Sequence, residues 1–154
     1  MTTIVPTRVN AAFAIVRVVT GATFIAHGAQ KLFVYGVAGV TGAFAQMGIP
    51  LPGIAGPLTA VVELLAGLAL VIGLLSRLAG LGLAITMIGA IFFAHLSAGF
   101  FAPNGIEFPL ALLASSVAIA IAGGGDWSLD ARLASRRQVA ERAGRNASGI
   151  RRAA

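Results

Sequence analysis

The chain has 154 residues, of which 58% are apolar and only 10% are charged. Soluble domains carry about 25% charged residues, so this deficit indicates a protein that lies in a membrane. The absence of cysteine excludes disulfides, thiolate nucleophiles, iron–sulfur ligation and cysteine-based zinc sites in this chain.

Four apolar segments are expected to cross the membrane, since a spanning helix needs about 20 mostly apolar residues. We predict these helices near residues 11–33, 56–75, 78–97 and 107–122. The first segment is longer than the apolar part of a signal peptide and lacks a small-residue cleavage site, so we expect it to be retained. The sequence therefore predicts an all-α fold, an integral membrane four-helix bundle in residues 1–130, followed by a basic tail in residues 131–154.

The distribution of lysine and arginine predicts how the bundle is oriented. Arg8, Arg77 and the seven arginines after Ala131 fall on one face, and the opposite face has only Lys31. Because positive residues favour the cytoplasmic side, we predict a multi-pass protein of the inner cell membrane with both termini in the cytoplasm. The tail has no aromatic residue among its arginines, so we expect it to contact anionic lipid and not nucleic acid.

The connection between the first two predicted helices, residues 34–55, has an unusual composition. It carries no charge and contains five glycines and two prolines. A structureless connection of this length is uncommon in a compact domain, and this one is too apolar to be a solvated loop. We interpret it as an interfacial or re-entrant flap that covers the bundle.

Ionisable residues within the predicted spans are costly in lipid and mark candidate sites. From the rise of an α-helix, His27, Glu63 and His95 should lie in the external half of the bundle, with Lys31 and Gln30 at its rim. The predicted polar cluster comprises Arg17, His27, Gln30, Lys31, Glu63, His95 and Glu107. We predict no metal site, and beside the cluster a ligand pocket lined by Phe24, Gly28, Phe100 and Phe101.

Each of these polar residues also has a structural explanation. Arg17 would extend to the cytoplasmic surface or pair with Glu63, and Glu63 would be a structural partner of Arg17 or Lys31. His27 and His95 would be hydrogen-bonded core histidines, and Glu107 would interact with the N-terminal dipole of the fourth helix. The sequence leaves both explanations open.

Several blocks of the sequence resemble the DoxX family. The first helix carries the run Arg17-x-x-x-Gly21-x-x-Phe24-x-x-His27-Gly28-x-x-Lys31-Leu32-Phe33. The later blocks are Gly48-x-Pro50, Glu63-Leu64 with Gly67, Arg77, His95 to Gly99-Phe100-Phe101, Glu107-x-Pro109-Leu110 and Gly125-x-x-Ser128-Leu129-Asp130. The resemblance covers residues 17–130 and implies a small four-helix bacterial membrane protein. It also implies a redox role, because related DoxD proteins are membrane subunits of a thiosulfate:quinone oxidoreductase and other relatives are linked to thiol-oxidative stress or to quinone and catechol resistance.

Four functions remain open from the sequence. The first is a quinone-interacting redox subunit, in which His27, Gln30 and Lys31 donate hydrogen bonds while Glu63 and His95 relay protons. The second is a non-enzymatic scaffold that docks a soluble redox protein on the cytoplasmic side. The third is a small transporter with a substrate site in its outer half, and the least favoured is a bis-histidine haem protein.

The sequence contains no self-sufficient electron carrier, so we expect any oxidoreductase activity to need a partner. The substrate, the electron donor and the formation of a homo-oligomer stay open.

Overall fold

The structure, a computed structural model, describes the backbone of residues 7–153 and the side chains of residues 7–138, 140, 141 and 145. This part of the chain is all-α, without any strand. Its helices are α1 (Thr7–Ala29), α2 (Gly36–Gln46), α3 (Pro52–Ile72), α4 (Ser76–Ala90), α5 (Glu107–Ala122) and α6 (Leu129–Ala153). Two π-helical segments, Gln30–Tyr35 and Ile91–His95, directly follow α1 and α4.

The outside of the helical bundle is suited to lipid. Within the described part of the chain, three stretches are long and apolar enough to cross a membrane: Thr7–Gln46, Pro52–Ile72 and Ser76–Ala98. Helix α5 is apolar but shorter, with 16 residues, or about 24 Å at the rise of an α-helix. Large apolar side chains such as Ile15, Leu65 and Ile121 are exposed on these helices. The protein is therefore a multi-pass membrane protein built as an all-α helical bundle.

The segment that we expected to be a flap, residues 34–55, is largely helical. The first helix continues through the π-helical segment into α2, and only residues 47–51 connect α2 to α3. The π-helical segment and α2 meet at Gly36, where the helix bends. Gly36 has a φ of +67°, a conformation that glycine adopts without strain. The expectation gave too much weight to the glycines, which membrane helices tolerate. At membrane depth a helix satisfies its own backbone hydrogen bonds, whereas an irregular flap leaves them unpaired.

Glycines hold the bundle together as two closely packed helix pairs, α1 with α3 and α4 with α5. A Cβ atom on Gly21 would lie 2.7 Å from the carbonyl oxygen of Gly67, and one on Gly28 would lie 2.5 Å from the backbone nitrogen of Leu64. On α4, a Cβ on Gly80 would lie 2.8 Å from the carbonyl oxygen of Ser116. Small residues are the main means by which helices approach one another in lipid, so these positions fix where the pairs touch.

The end of the bundle that contains the α3–α4 turn, which we name the base, is held by Arg17. Its guanidinium is buried and donates to the carbonyl oxygens of Leu70, Val71 and Trp127. This position differs from both structural explanations given above, because Arg17 neither reaches the surface nor contacts Glu63. A helical side chain points toward the start of its helix, and the last carbonyls of a helix lack the regular partner four residues further on; that of Leu70 also accepts from the N–H of Gly73 at 3.1 Å. Arg17 binds them and so joins α1 to the end of α3.

Asp130, the second residue of α6, completes the base. Its carboxylate accepts hydrogen bonds from the backbone N–H groups of Leu75 and Ser76, at 2.8 and 2.9 Å, and so caps the start of α4 across the sequence. Partial burial acts to raise the pKa of Asp130, but these N–H groups and the charge of Arg17 outweigh it and lower that pKa. Asp130 is therefore ionised at neutral pH and binds α6 to the α3–α4 turn.

Candidate functional site

A cavity of about 540 Å³, which we name the chamber, lies between α1, α3, α4 and α5. It sits above the apolar core, where Phe24, Leu70, Leu83, Met87 and Ile119 pack together near the base. Phe24 and Met87 also line the chamber, so they form its floor. Its volume falls within the roughly 300–1,000 Å³ of pockets that hold small organic ligands.

The end of α2 covers the chamber on the side away from the base. Phe44 of α2 and Met47 and Ile49 of the following turn line the chamber. Val40 is buried against Gly56 of α3, where a Cβ would lie 3.0 Å from a Val40 methyl carbon. This contact holds α2 in place, so the chamber has an apolar cover on its outer side.

An ion pair forms the most buried polar feature of the chamber. The Nζ of Lys31 lies 2.5 Å from Oε2 of Glu63, and both residues line the cavity. Glu63 is only 2% exposed. The pair forms because Gly28, one turn before Lys31, packs directly on the backbone of α3 at Leu64, and because the π-helical segment begins at Gln30. Such segments are rare and frequently occur at functional sites.

Two histidines also line the chamber, together with the smaller polar residues Thr59 and Thr86. The ring of His27, on α1, lies 6.0 Å from the ring of Phe108 on α5, measured between centroids. His95, the last residue of the second π-helical segment, has Nδ1 2.7 Å from the carbonyl oxygen of Asn104. Because a carbonyl only accepts, Nδ1 of His95 carries the proton, and Nε2 is the nitrogen left to accept or exchange one.

The structure places the other predicted site residues away from the chamber. Arg17 is at the base, and Gln30 lies with His27 in a shallow surface groove. Glu107 is exposed at the start of α5 and accepts a hydrogen bond from the N–H of Ala102 at 3.0 Å. Gly28 is enclosed between α1 and α3. Of the four predicted pocket residues, Phe24 alone lines the chamber.

Phe100 and Phe101 differ most from their predicted position. They pack edge to face, with centroids 5.3 Å apart, and both are exposed. They follow Gly99, which has a φ of +83°. Phe93 and Phe108 line the chamber instead. Neither is three or four residues from a predicted polar residue on its own helix, so helical spacing did not indicate this face.

The chain matches two known family profiles, and the first covers more than half of it. The DoxX profile matches residues 12–96. The protein belongs to the DoxX family. The part that matches the DoxX profile contains the four ionisable residues of the chamber lining: His27, Lys31, Glu63 and His95. A second profile, described as TQO small subunit DoxD, matches residues 57–145 and so includes the α3–α4 turn, Asp130 and most of α6.

Two relatives of this DoxX protein have comparable length. The uncharacterized membrane protein Rv3486 of Mycobacterium tuberculosis is 34% identical over 132 residues, which are 79% of this chain and 80% of the relative. The protein named "Putative oxidoreductase CatD" in Bacillus subtilis is 34% identical over 116 residues, 75% of this chain and 82% of the relative. No solved structure matches this chain significantly.

Proposed function

We propose that this DoxX protein is the membrane subunit of a redox system and that its chamber binds a quinone. The observation that carries the proposal is an apolar chamber with an ion pair and two histidines in its lining. A quinone needs a flat apolar slot, donors for its carbonyl oxygens and groups that exchange protons. The names of the relatives agree with a redox role, since one family is described as a TQO small subunit and CatD is named an oxidoreductase.

The chemistry assigns separate tasks to the chamber residues. Reduction of a quinone to a quinol takes two electrons and two protons, and each carbonyl oxygen becomes a hydroxyl. The Lys31 ammonium donates to the carbonyl oxygen on which negative charge develops. His27 and His95 carry nitrogens that can pass protons to the carbonyl oxygens of the quinone. Glu63 holds Lys31 in place. A partner redox protein supplies the electrons.

The electron donor should approach the chamber side and not the base. Lys31 is fourteen residues beyond Arg17 on the same helical stretch, or about 21 Å at the rise of an α-helix. A soluble protein that docks on the basic helix α6 would therefore be separated from the quinone by most of the bundle. Helix α6 therefore contacts lipid or holds a partner in place, and electrons enter from the opposite face.

A binding measurement with matched variants tests the quinone proposal. The protein in lipid nanodiscs is titrated with a short-chain quinone, and bound quinone is counted by native mass spectrometry. We expect His27→Ala to weaken binding about tenfold, as for the loss of one good hydrogen bond. The control is Gln30→Ala, because Gln30 is a polar neighbour that does not line the chamber. If His27→Ala and Glu63→Gln bind quinone with the same affinity as the natural protein, the proposal is rejected. It is also rejected if both variants still protect cells against thiol stress.

We also propose that the protein lies in the inner membrane with both termini in the cytoplasm. Asn10 near the start of α1 donates to Asp126 beyond α5 at 2.7 Å, which supports an arrangement with both ends of the bundle domain at the base. The arginines of α6 then favour the cytoplasmic side for the base. A fluorescent-protein fusion after Ala154 should fluoresce, and an alkaline phosphatase inserted at residues 36–42 should be active. The opposite pair of results would reverse the orientation.

A further inference from the structure

The wall of the chamber between α3 and α4 is open to the outside of the bundle. Leu58 of α3 and Ile85 of α4 both line the chamber, yet they are 58% and 61% exposed. The two helices are joined by a short turn at the base, but α3 packs mainly on α1 and α4 mainly on α5. The two helix pairs therefore separate with distance from the base and leave a gap on the lipid-facing side.

Two glycines on α4 show where this gap widens. Gly82 and Gly89 are seven residues apart, so they share a face of the helix, and both line the chamber. A Cβ on Gly82 would lie 3.6 Å from Cγ1 of Val62, in ordinary contact across the gap. A Cβ on Gly89 would meet no described atom within 4 Å. The helices thus nearly touch at Gly82 and are apart at Gly89.

The gap lies at the depth of the lipid tails. Gly82 and Gly89 are six and thirteen residues beyond Ser76, the start of α4, which places them about 9 and 20 Å along the helix. The hydrocarbon core is about 30 Å thick. On the outer side, by contrast, the chamber is covered by Phe44, Met47 and Ile49.

We propose that the gap between α3 and α4 is a lateral portal through which an amphiphilic ligand enters the chamber from the bilayer. The head of this ligand lies against Lys31 and Glu63, and its hydrocarbon tail remains in the portal beside Gly89. The natural substrate class is therefore a quinone with a long isoprenoid tail and not a water-soluble quinone or catechol. The identity of the head rests on the proposed function, whereas the portal rests on the geometry of α3 and α4.

A labelling experiment tests the portal without any quinone. Because the chain contains no cysteine, Thr59→Cys introduces a single thiol in the chamber lining. We expect a maleimide dissolved in the bilayer to label this thiol, and addition of Gly89→Leu to slow the labelling at least about tenfold. The control is Gly42→Leu, since Gly42 also has open space around its Cβ position but does not line the chamber. Equal labelling rates in the Gly89→Leu and Gly42→Leu proteins would overturn the portal.

Binding of two quinones then tests the tail. The natural protein should bind a long-tailed quinone at least about tenfold more tightly than its tail-less head group. Gly89→Leu should remove most of this difference, and the ratio of the two affinities is compared within the same variant, so that an effect on the head group common to both quinones cancels. A difference that survives Gly89→Leu would overturn the placement of the tail. If neither quinone binds the natural protein, the proposed function fails, and the labelling rates alone decide whether the portal exists.

Discussion

Replacing Lys31 with methionine is expected to lower the free energy of unfolding by about 3–5 kcal/mol, the cost of removing one partner from a buried ion pair. Glu63 would then be left without its cation at a position where it is 2% exposed. Removing Glu63 instead should cost less, because the side chain of Lys31 is 22% exposed and its ammonium can turn toward water. We therefore expect Lys31→Met to destabilise more than Glu63→Leu, measured by reversible unfolding in mixed micelles.

The double variant separates stability from function. Replacing a buried ion pair with apolar residues is often neutral or stabilising, so Lys31→Met with Glu63→Leu should be more stable than Lys31→Met alone. The same double variant should fail to bind quinone, because the chamber has lost its strongest donor. Gln30→Met, a neighbouring change outside the chamber, should alter stability by less than about 0.5 kcal/mol. Additive effects of the two single changes would show that Lys31 and Glu63 are not coupled.

Gly28→Ala, which adds a single methyl group, is also expected to lower the free energy of unfolding strongly. The new Cβ would lie 2.5 Å from the nitrogen and 2.9 Å from the Cα of Leu64, and 2.9 Å from the carbonyl oxygen of Ala60. All three are backbone atoms of α3 and cannot move aside independently. We expect α1 and α3 to separate at a cost of about 3 kcal/mol, at the upper end for overpacking. The measurement is again reversible unfolding, followed by quinone binding, which should also weaken because the Lys31–Glu63 contact depends on this crossing.

Gly89→Ala is the matched control for Gly28→Ala. Both glycines lie within helical stretches, where alanine is favoured by up to about 1 kcal/mol. Helix propensity alone therefore predicts that both changes stabilise the protein. Only the packing contact distinguishes them, since a Cβ on Gly89 meets no described atom within 4 Å. If Gly28→Ala stabilises the protein as Gly89→Ala does, the close approach of α1 to α3 is wrong.

The sequence predicted those features of the site that follow from the depth of a residue along its membrane helix. Helical rise placed Glu63 in the external half of the bundle and Lys31 at its rim, and in the structure the two side chains form an ion pair. Gly21 and Gly28 are seven residues apart and share one face of the first helix, and α3 packs on that face. In lipid an ionisable side chain is costly without a partner, and helices approach closely at small residues. Both rules apply to a residue whatever the rest of the fold is.

The remaining features depend on distant parts of the chain. Arg17 binds carbonyl oxygens of residues more than fifty positions away, and backbone acceptors leave no signature in the sequence. Asp130 caps α4 in the same way, from beyond α5. The helix α2 was missed because its glycines resemble those of a loop, while its few bulky side chains give no clear period. Phe100 and Phe101 were misplaced because the turn at Gly99 decides their direction.

The cap on α4 by Asp130 has a consequence for how the protein is made. The first turn of α4 includes Ser76, but its carboxylate cap is synthesised more than fifty residues later. Until the ribosome has passed Asp130, the α3–α4 hairpin enters the membrane with the N–H groups of Leu75 and Ser76 unpaired by that side chain. The same late segment brings the Trp127 carbonyl to Arg17 of the first helix. The order of synthesis therefore makes the start of α6 the closing step of assembly, which joins the earliest helix to the middle hairpin only when the chain is nearly complete.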